Sequence, residues 1–245
     1  MQLAPDGDEY AFIEQHTKNI PGWLEDYAAV RTIQLLAWQQ EQGIKGPFVE
    51  IGVFAGKYLS ILVRAAALSD ERVIGFDTFQ YVSEQGLREH IAAVPGADRV
   101  ELVSGVTGNL SSWDMMNHIG EKPRFVSIDG SHDCVDVFWD FSLIEQILAP
   151  QGVVVADDFL NPLTLGVGEA IHKFFATPRN LAPFAYTSNK LFLCRPAMVD
   201  AYRNVFEQCV TDDELEVQSI NFRERLTHGR HHVEQSLWGW PVLVP

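Results

Sequence analysis

Five short runs of largely apolar, β-branched residues recur through the middle of the chain: Phe48–Gly52, Arg72–Asp77, Arg99–Ser104, Arg124–Asp129 and Gly152–Ala156. They do not alternate between apolar and polar positions, which is the pattern of strands covered on both faces of a parallel sheet. The gaps between them are long enough for helices. Lys57–Leu68 is one such helix, and Cys134, Val137, Phe138, Phe141, Ile144 and Leu148 fall on a single stripe at helical spacing, with Pro150 and Gly152 as the stop. Strands and helices in this alternation imply right-handed crossovers and a doubly wound α/β sheet.

The flanks follow other periods. Trp23, Tyr27, Val30, Ile33 and Leu36 form a helical stripe ahead of the first strand, which defines an N-terminal helical cap over residues 1–45, a core over 46–196 and a C-terminal extension over 197–245. Gly168–Phe175 reads as a helix, and Phe184–Thr187 and Leu191–Cys194 as a hairpin around Ser188, Asn189 and Lys190. The extension is expected to hold a helix over Val199–Val210 and strands over Val217–Arg223 and His232–Trp238. Trp38 is expected in the core. The Trp238-Gly239-Trp240-Pro241 tail is expected to pack on the domain or on a second subunit of a homo-oligomer. His228, His231 and His232 read as a polar loop rather than a second metal site. In the loop Leu160–Gly166, Gly166 and Gly168 are expected to provide mobility.

Bulk properties narrow the classes. At 245 residues the chain accommodates one large domain with elaborations. No apolar run reaches the roughly eighteen residues of a membrane span. A net charge of −15 repels phosphate backbones, so nucleic acid is not an expected partner. The three cysteines, Cys134, Cys194 and Cys209, have no metal-ligand spacing, as in a reduced cytoplasmic protein. The stretch Met1–Ile20, carrying Asp6, Asp8, Glu9 and Glu14, lacks the basic start and apolar core of a secretory signal.

Candidate chemistry begins where the first strand ends, in Val49-Glu50-Ile51-Gly52-Val53-Phe54-Ala55-Gly56. In an open α/β sheet, ligands bind at the carboxyl ends of the strands. Gly52 and Gly56 are spaced Gly-x-x-x-Gly, not the Gly-x-Gly-x-x-Gly of a pyrophosphate turn, which argues against NAD and FAD. Glu50 can hold the ammonium of an amino-acid moiety and would repel a pyrophosphate. Asp77, ending the second strand, can accept both hydroxyls of a ribose, or can cap the segment after it. Tyr58, just after Gly56, is expected to face the cofactor.

A second set of acids ends the fourth and fifth strands: Asp129, in Ile128-Asp129-Gly130-Ser131-His132, and the Asp157-Asp158 pair. Neighbouring parallel strands lie about 4.8 Å apart, so these carboxylates gather in one cleft and repel one another unless compensated. A hard cation, Mg²⁺ or alternatively Mn²⁺ or Ca²⁺, meets that need and activates a hydroxyl nucleophile. His132, three residues after Asp129, can take the proton; if no metal binds, it would act alone as base.

These stretches together, Glu50–Gly56, Gly75–Phe79, Ile128–His132 and Ala156–Phe159, resemble class I S-adenosylmethionine-dependent methyltransferases, and within them the bacterial group related to macrocin-type sugar O-methyltransferases. The resemblance spans roughly Val49–Arg195. It implies a Rossmann-like seven-stranded sheet in the order 3-2-1-4-5-7-6 with the Leu191–Cys194 strand antiparallel. It implies S-adenosylmethionine as cofactor, with Glu50 and Gly52 near the methionine part, Asp77 on the ribose, and Thr78, Ser104 and Gly105 near the adenosine. Asp129, Asp157 and Asp158 match the three metal-ligand positions of metal-dependent O-methyltransferases, where the third ligand is often Asn. His132 stands where catechol-type relatives carry a lysine base. The implied acceptor is a small-molecule hydroxyl on a sugar, phenol or natural product. A cofactor-binding protein without catalysis is the alternative from outside the enzymes.

Overall fold

A computed structural model of the chain describes residues 8–245, so the first seven residues of the expected N-terminal cap lie outside the described residues. Five strands pair in parallel: β1 (Phe48–Ile51), β2 (Val73–Asp77), β3 (Val100–Ser104), β4 (Phe125–Ile128) and β5 (Val153–Ala156). They are separated by α3 (Leu59–Ser69), α4 (Glu84–Ile91), α5 (Ser112–Ile119) and α6 (Cys134–Ile147). The helix α7 (Leu165–Phe174) leads to the hairpin β6 (Ala182–Thr187) and β7 (Lys190–Cys194), whose β7 runs antiparallel to β5. Ser188 and Asn189, both in the left-handed region, make the two-residue turn between them.

The strand order β3-β2-β1-β4-β5-β7-β6 is the expected one, but the sheet does not stop there. Two further strands, β8 (Glu234–Leu237) and β9 (Trp240–Leu243), extend it past β6 to nine strands among the described residues. Trp238 and Gly239, with φ of 50° and 83°, form their tight turn. The expected strand over Val217–Arg223 is instead the helix α9 (Val217–Thr227). Its inward residues Ser219, Phe222 and the partly buried Leu226 recur at three and four positions, a helical rather than a strand period. The strand expected over His232–Trp238 starts later, after a single tight turn at Arg230–His232.

Two apolar cores sandwich the sheet. Phe48, Phe125, Val153 and Phe192 point toward α3, α2 (Asp26–Glu41) and α8 (Val199–Thr211), while Val49, Val126, Val154 and Leu193 point toward α5, α6 and α7. The N-terminal cap and the C-terminal extension share the first face. A fully buried ion pair joins them, Arg31 Nη2 to Asp213 Oδ2 at 2.5 Å, with Tyr27 bonded to Ser219 at 3.0 Å. Trp38 packs edge-on against Tyr202, and Trp238 stacks on Phe175 at 4.2 Å, so the tail closes on its own domain. Trp23, counted in the α2 stripe, precedes the helix and is 90% exposed. Among the described residues no helix is long and apolar enough to cross a membrane, and Cys134, Cys194 and Cys209 are free thiols.

Candidate active site

The parallel strands end in one row, because the ladder continues one step past each of them. Gly105 N donates to Asp77 O, Gly52 N to Phe76 O, Asp129 N to Ile51 O and Asp157 N to Ile128 O, all at 2.8–3.0 Å. Glu50, Asp77, Asp129, Asp157 and Asp158 are thereby brought to one edge, at the point where the chain order reverses between β1 and β4. Thr78, Ser104 and Gly105 lie exposed on the β2 and β3 side of the same edge.

Local packing explains the glycines. Gly52 has φ +83°, and a Cβ there would stand 2.0 Å from the backbone oxygen of Asp129. Only glycine lets the β1 turn pass so close to the β4 end. Gly56, at φ +91°, would bring a Cβ within 2.7 Å of Ile91. Gly166 and Gly168 are not hinges: they lie inside α7, where a Cβ on Gly166 would meet the His132 carbonyl at 2.3 Å and one on Gly168 the Phe159 carbonyl at 3.0 Å. These close approaches clamp the His132 loop and the segment after β5 onto the α7 start.

Asp77 is more than a ribose candidate. Its Oδ2 accepts from Val53 N at 2.9 Å and Phe54 N at 3.0 Å, and its Oδ1 from Phe79 N at 2.7 Å. The carboxylate ties the β1 turn to the β2 turn and holds Phe54 and Phe79 in left-handed backbone. Glu50 is buried, and its Oε2 has no hydrogen-bond partner. Removal from water, reinforced by the neighbouring Asp129, pushes the Glu50 carboxyl well above the usual carboxylate range, against the pull of Lys190. Asp129 is pushed up likewise, first by loss of water and then by Asp157, with Lys190 again opposing.

The other acids divide into two environments. Asp158 adopts φ 60°, its Oδ1 accepting from Asn161 at 2.7 Å and its Oδ2 lying 3.4 Å from His132 Nε2. One ligand atom from each of Asp129, His132 and Asp158 lies within 4.8 Å of the others. Oxygens on opposite sides of Mg²⁺ stand about 4.0–4.2 Å apart, so a small closure lets the Asp129 and Asp158 carboxylates share one ion, with His132 beside it. Asp157 is already engaged: Oδ1 accepts from Asp158 N at 2.9 Å and Oδ2 from Lys190 Nζ at 2.5 Å. Lys190 was not among the candidates read from sequence. The signal was a lone charge opening the otherwise apolar run Lys190-Leu191-Phe192-Leu193-Cys194. Tyr58 faces inward, its hydroxyl 3.1 Å from Thr32 Oγ1 and its ring 4.7 Å from Lys190 Nζ.

A strap crosses beside this edge. Lys57 Nζ holds the Ile20 carbonyl at 2.9 Å, Trp23 stacks on Phe54 at 6.2 Å, and Ser188 Oγ donates to Glu25 at 2.7 Å. The segment 20–25 thus runs from the β1 turn to the β6–β7 turn. The His228, His231 and His232 cluster lies elsewhere, around the end of α9, with the rings of His231 and His232 4.0 Å apart.

The α/β sheet with an acidic edge at its switch point has counterparts among known proteins. Residues 49–159, from β1 to just past β5, match the family model described as a methyltransferase domain. No curated protein sequence matches the chain. Among solved structures, it resembles the TDP-rhamnose 3'-O-methyltransferase of calicheamicin biosynthesis at 16% identity and TM-score 0.54, covering 77% of this chain and 93% of that one. It also resembles the O-methyltransferase NovP at 15% identity and TM-score 0.56, covering 68% and 80%. An O-methyltransferase from Bacillus cereus in complex with SAH aligns at 19% identity and TM-score 0.53, covering 77% and 90%. Residues 49–159 are thus similar to a methyltransferase domain, and the chain shares the fold of these O-methyltransferases.

Proposed function

We propose that the chain transfers the methyl group of S-adenosylmethionine to a hydroxyl of a small molecule, assisted by a divalent cation, Mg²⁺ in the first instance. The carrying observation is the acidic edge itself: Glu50, Asp77, Asp129, Asp157 and Asp158 converge there, and among the described residues Lys190 is the one buried ammonium that faces them. Such a site favours positively charged ligands, and a sulfonium with its ammonium and a divalent ion are both cations.

Glu50 offers its unpartnered buried oxygen to the ammonium of the methionine part. Asp77, with lone pairs left beyond its three backbone bonds, receives the ribose hydroxyls. Thr78, Ser104 and Gly105 border the adenosine. Bound S-adenosylmethionine supplies an electrophilic methyl, and a divalent cation among Asp129, Asp157 and Asp158 would lower the pKa of the acceptor hydroxyl. His132, half exposed and beside Asp158, accepts the hydroxyl proton at Nε2. Its orientation is steadied by the Gly166 approach to its carbonyl. The strap 20–25, with Trp23 and Phe54, walls the acceptor side.

The engagement of Asp157 by Lys190 favours a second reading, in which His132 works without a metal. One experiment separates the two. S-Adenosylmethionine is titrated calorimetrically, and methyl transfer to a panel of sugars, phenols and polyketide hydroxyls is followed with and without excess EDTA. Cofactor binding that survives EDTA with turnover lost supports metal assistance. Full turnover in EDTA selects the metal-free base, and absence of cofactor binding rejects both.

A further inference from the structure

A lysine on a covered strand is costly unless its charge is met, because an ammonium taken out of water loses its hydration. Lys190 meets three conditions that a solvated surface lysine does not. Its side chain is 4% exposed, its Nζ lies 2.5 Å from Asp157 Oδ2, and it sits over the Tyr58 ring at 4.7 Å. Its position is built by the chain: the Ser188-Asn189 turn pairs Lys190 with Thr187 and starts β7 beside the end of β5. Asn189 O also accepts from Phe159 N at 3.0 Å, which fixes the hairpin to the segment after Asp158.

Asp157 therefore carries a donor on each oxygen, and the buried ammonium neutralises its charge. Its Oδ1 serves the Asp158 backbone and its Oδ2 the ammonium. Asp158, one residue on, turns the other way through its left-handed backbone and faces His132. Adjacent acids of the same sequence type thus have different charge environments. We propose that Lys190 is a positioning residue, a resident counter-cation that withdraws Asp157 from ion binding and leaves Asp129 and Asp158 as the carboxylate ligands of the divalent ion. This rests on the metal-assisted reading above. The ammonium also sets the strength of the site, since an incoming ion at the Asp129–Asp158 edge is repelled by it through a poorly hydrated interior.

The test is Mn²⁺ binding to the full chain without acceptor or cofactor, measured by calorimetry and water-proton relaxation. Lys190→Met is expected to bind Mn²⁺ about tenfold or more tightly than wild type, and Lys190→Arg to stay close to wild type. Asp158→Asn is expected to weaken binding by about tenfold or more, and the paired variant Lys190→Met/Asp157→Asn, which removes both charges of the ion pair, to change it by less than about threefold. A purely structural lysine would lower the melting temperature without tightening Mn²⁺ binding, and that result overturns the assignment. A loss in Lys190→Met/Asp157→Asn as large as in Asp158→Asn overturns it as well, and this comparison stands even if Lys190→Met alone does not fold, because the paired variant leaves no buried charge unmet. Wild-type titration with S-adenosylmethionine separates the two levels. Cofactor binding with Mn²⁺ silent in both wild type and Lys190→Met rejects the metal part together with the assignment. Mn²⁺ binding in wild type that Lys190→Met fails to tighten rejects the assignment alone.

Discussion

Replacing Asp77 by alanine tests whether one carboxylate both braces the site and binds the cofactor. In the ligand-free chain it removes the acceptor for three backbone donors, Val53 N, Phe54 N and Phe79 N, at 2.9, 3.0 and 2.7 Å. Each such bond contributes about 1 kcal/mol net when its donor can find water afterwards, as the exposed Phe54 amide can. The sum is about 3 kcal/mol, with some of it returned by hydration. For a chain of this size, 1 kcal/mol moves the melting temperature by about 2–4 °C, so Asp77→Ala is expected to melt about 6–10 °C lower. The proposed ribose contacts add a separate loss. Two charge-assisted bonds of about 1.5 kcal/mol each correspond to a roughly hundredfold weaker affinity for S-adenosylmethionine. The assay pairs calorimetric unfolding of the free protein with a cofactor titration well below the melting range. Asp77→Asn, which keeps one acceptor oxygen, is expected to recover part of the stability and little of the affinity. An Asp77→Ala protein that melts like wild type refutes the bracing role. One that melts low but binds the cofactor normally refutes the ribose assignment.

Two further outcomes follow from the site's surroundings. Gly52→Ala places a Cβ 2.0 Å from the Asp129 carbonyl at φ +83°, so it is expected to cost at least about 3 kcal/mol in denaturant unfolding and to abolish cofactor binding; near-wild-type stability would show that the β1 and β4 ends part easily. Asp140, buried in α6 with its Oδ1 accepting from Thr107 at 2.6 Å, is pushed up to about 7 by loss of water, with Thr107 opposing. A carboxyl raised in the folded state binds more protons than its unfolded counterpart between about pH 4 and 7, so its contribution to stability falls as pH rises through that window and levels off above it. Denaturant unfolding of wild type and Asp140→Asn at about pH 5 and pH 8 should show this slope in the first and not in the second; parallel slopes would reject it.

The alternation of buried apolar runs with helical stripes determined, from sequence alone, five parallel strands in a doubly wound sheet, while the order β3-β2-β1-β4-β5 and the antiparallel β7 were implied by the resemblance of the strand-end motifs to a known family. It also determined that Glu50, Asp77, Asp129, Asp157 and Asp158 share one edge. Such features depend on local periods of two and 3.6 residues and on the handedness of crossovers, both written in short stretches of chain. Val217–Arg223 misled because a run this short serves either period, and packing of Phe222 against the first core made it a helix. The strands β8 and β9 pair locally across the Trp238-Gly239 turn, but their place beyond β6 was set by the pairing of Ala185 with Leu243, remote in sequence, which no local pattern encodes.

The division of labour among the acids was decided only by the tertiary structure. Asp157 and Asp158 are chemically identical neighbours, yet one faces a buried lysine from a hairpin more than thirty positions away and the other faces His132. Gly166 looks like a hinge in sequence and is a contact point because α7 folds back onto the His132 loop. What a charged group does depends on the charges and water around it, and these come from elements distant in sequence that only the folded chain brings within a few ångströms.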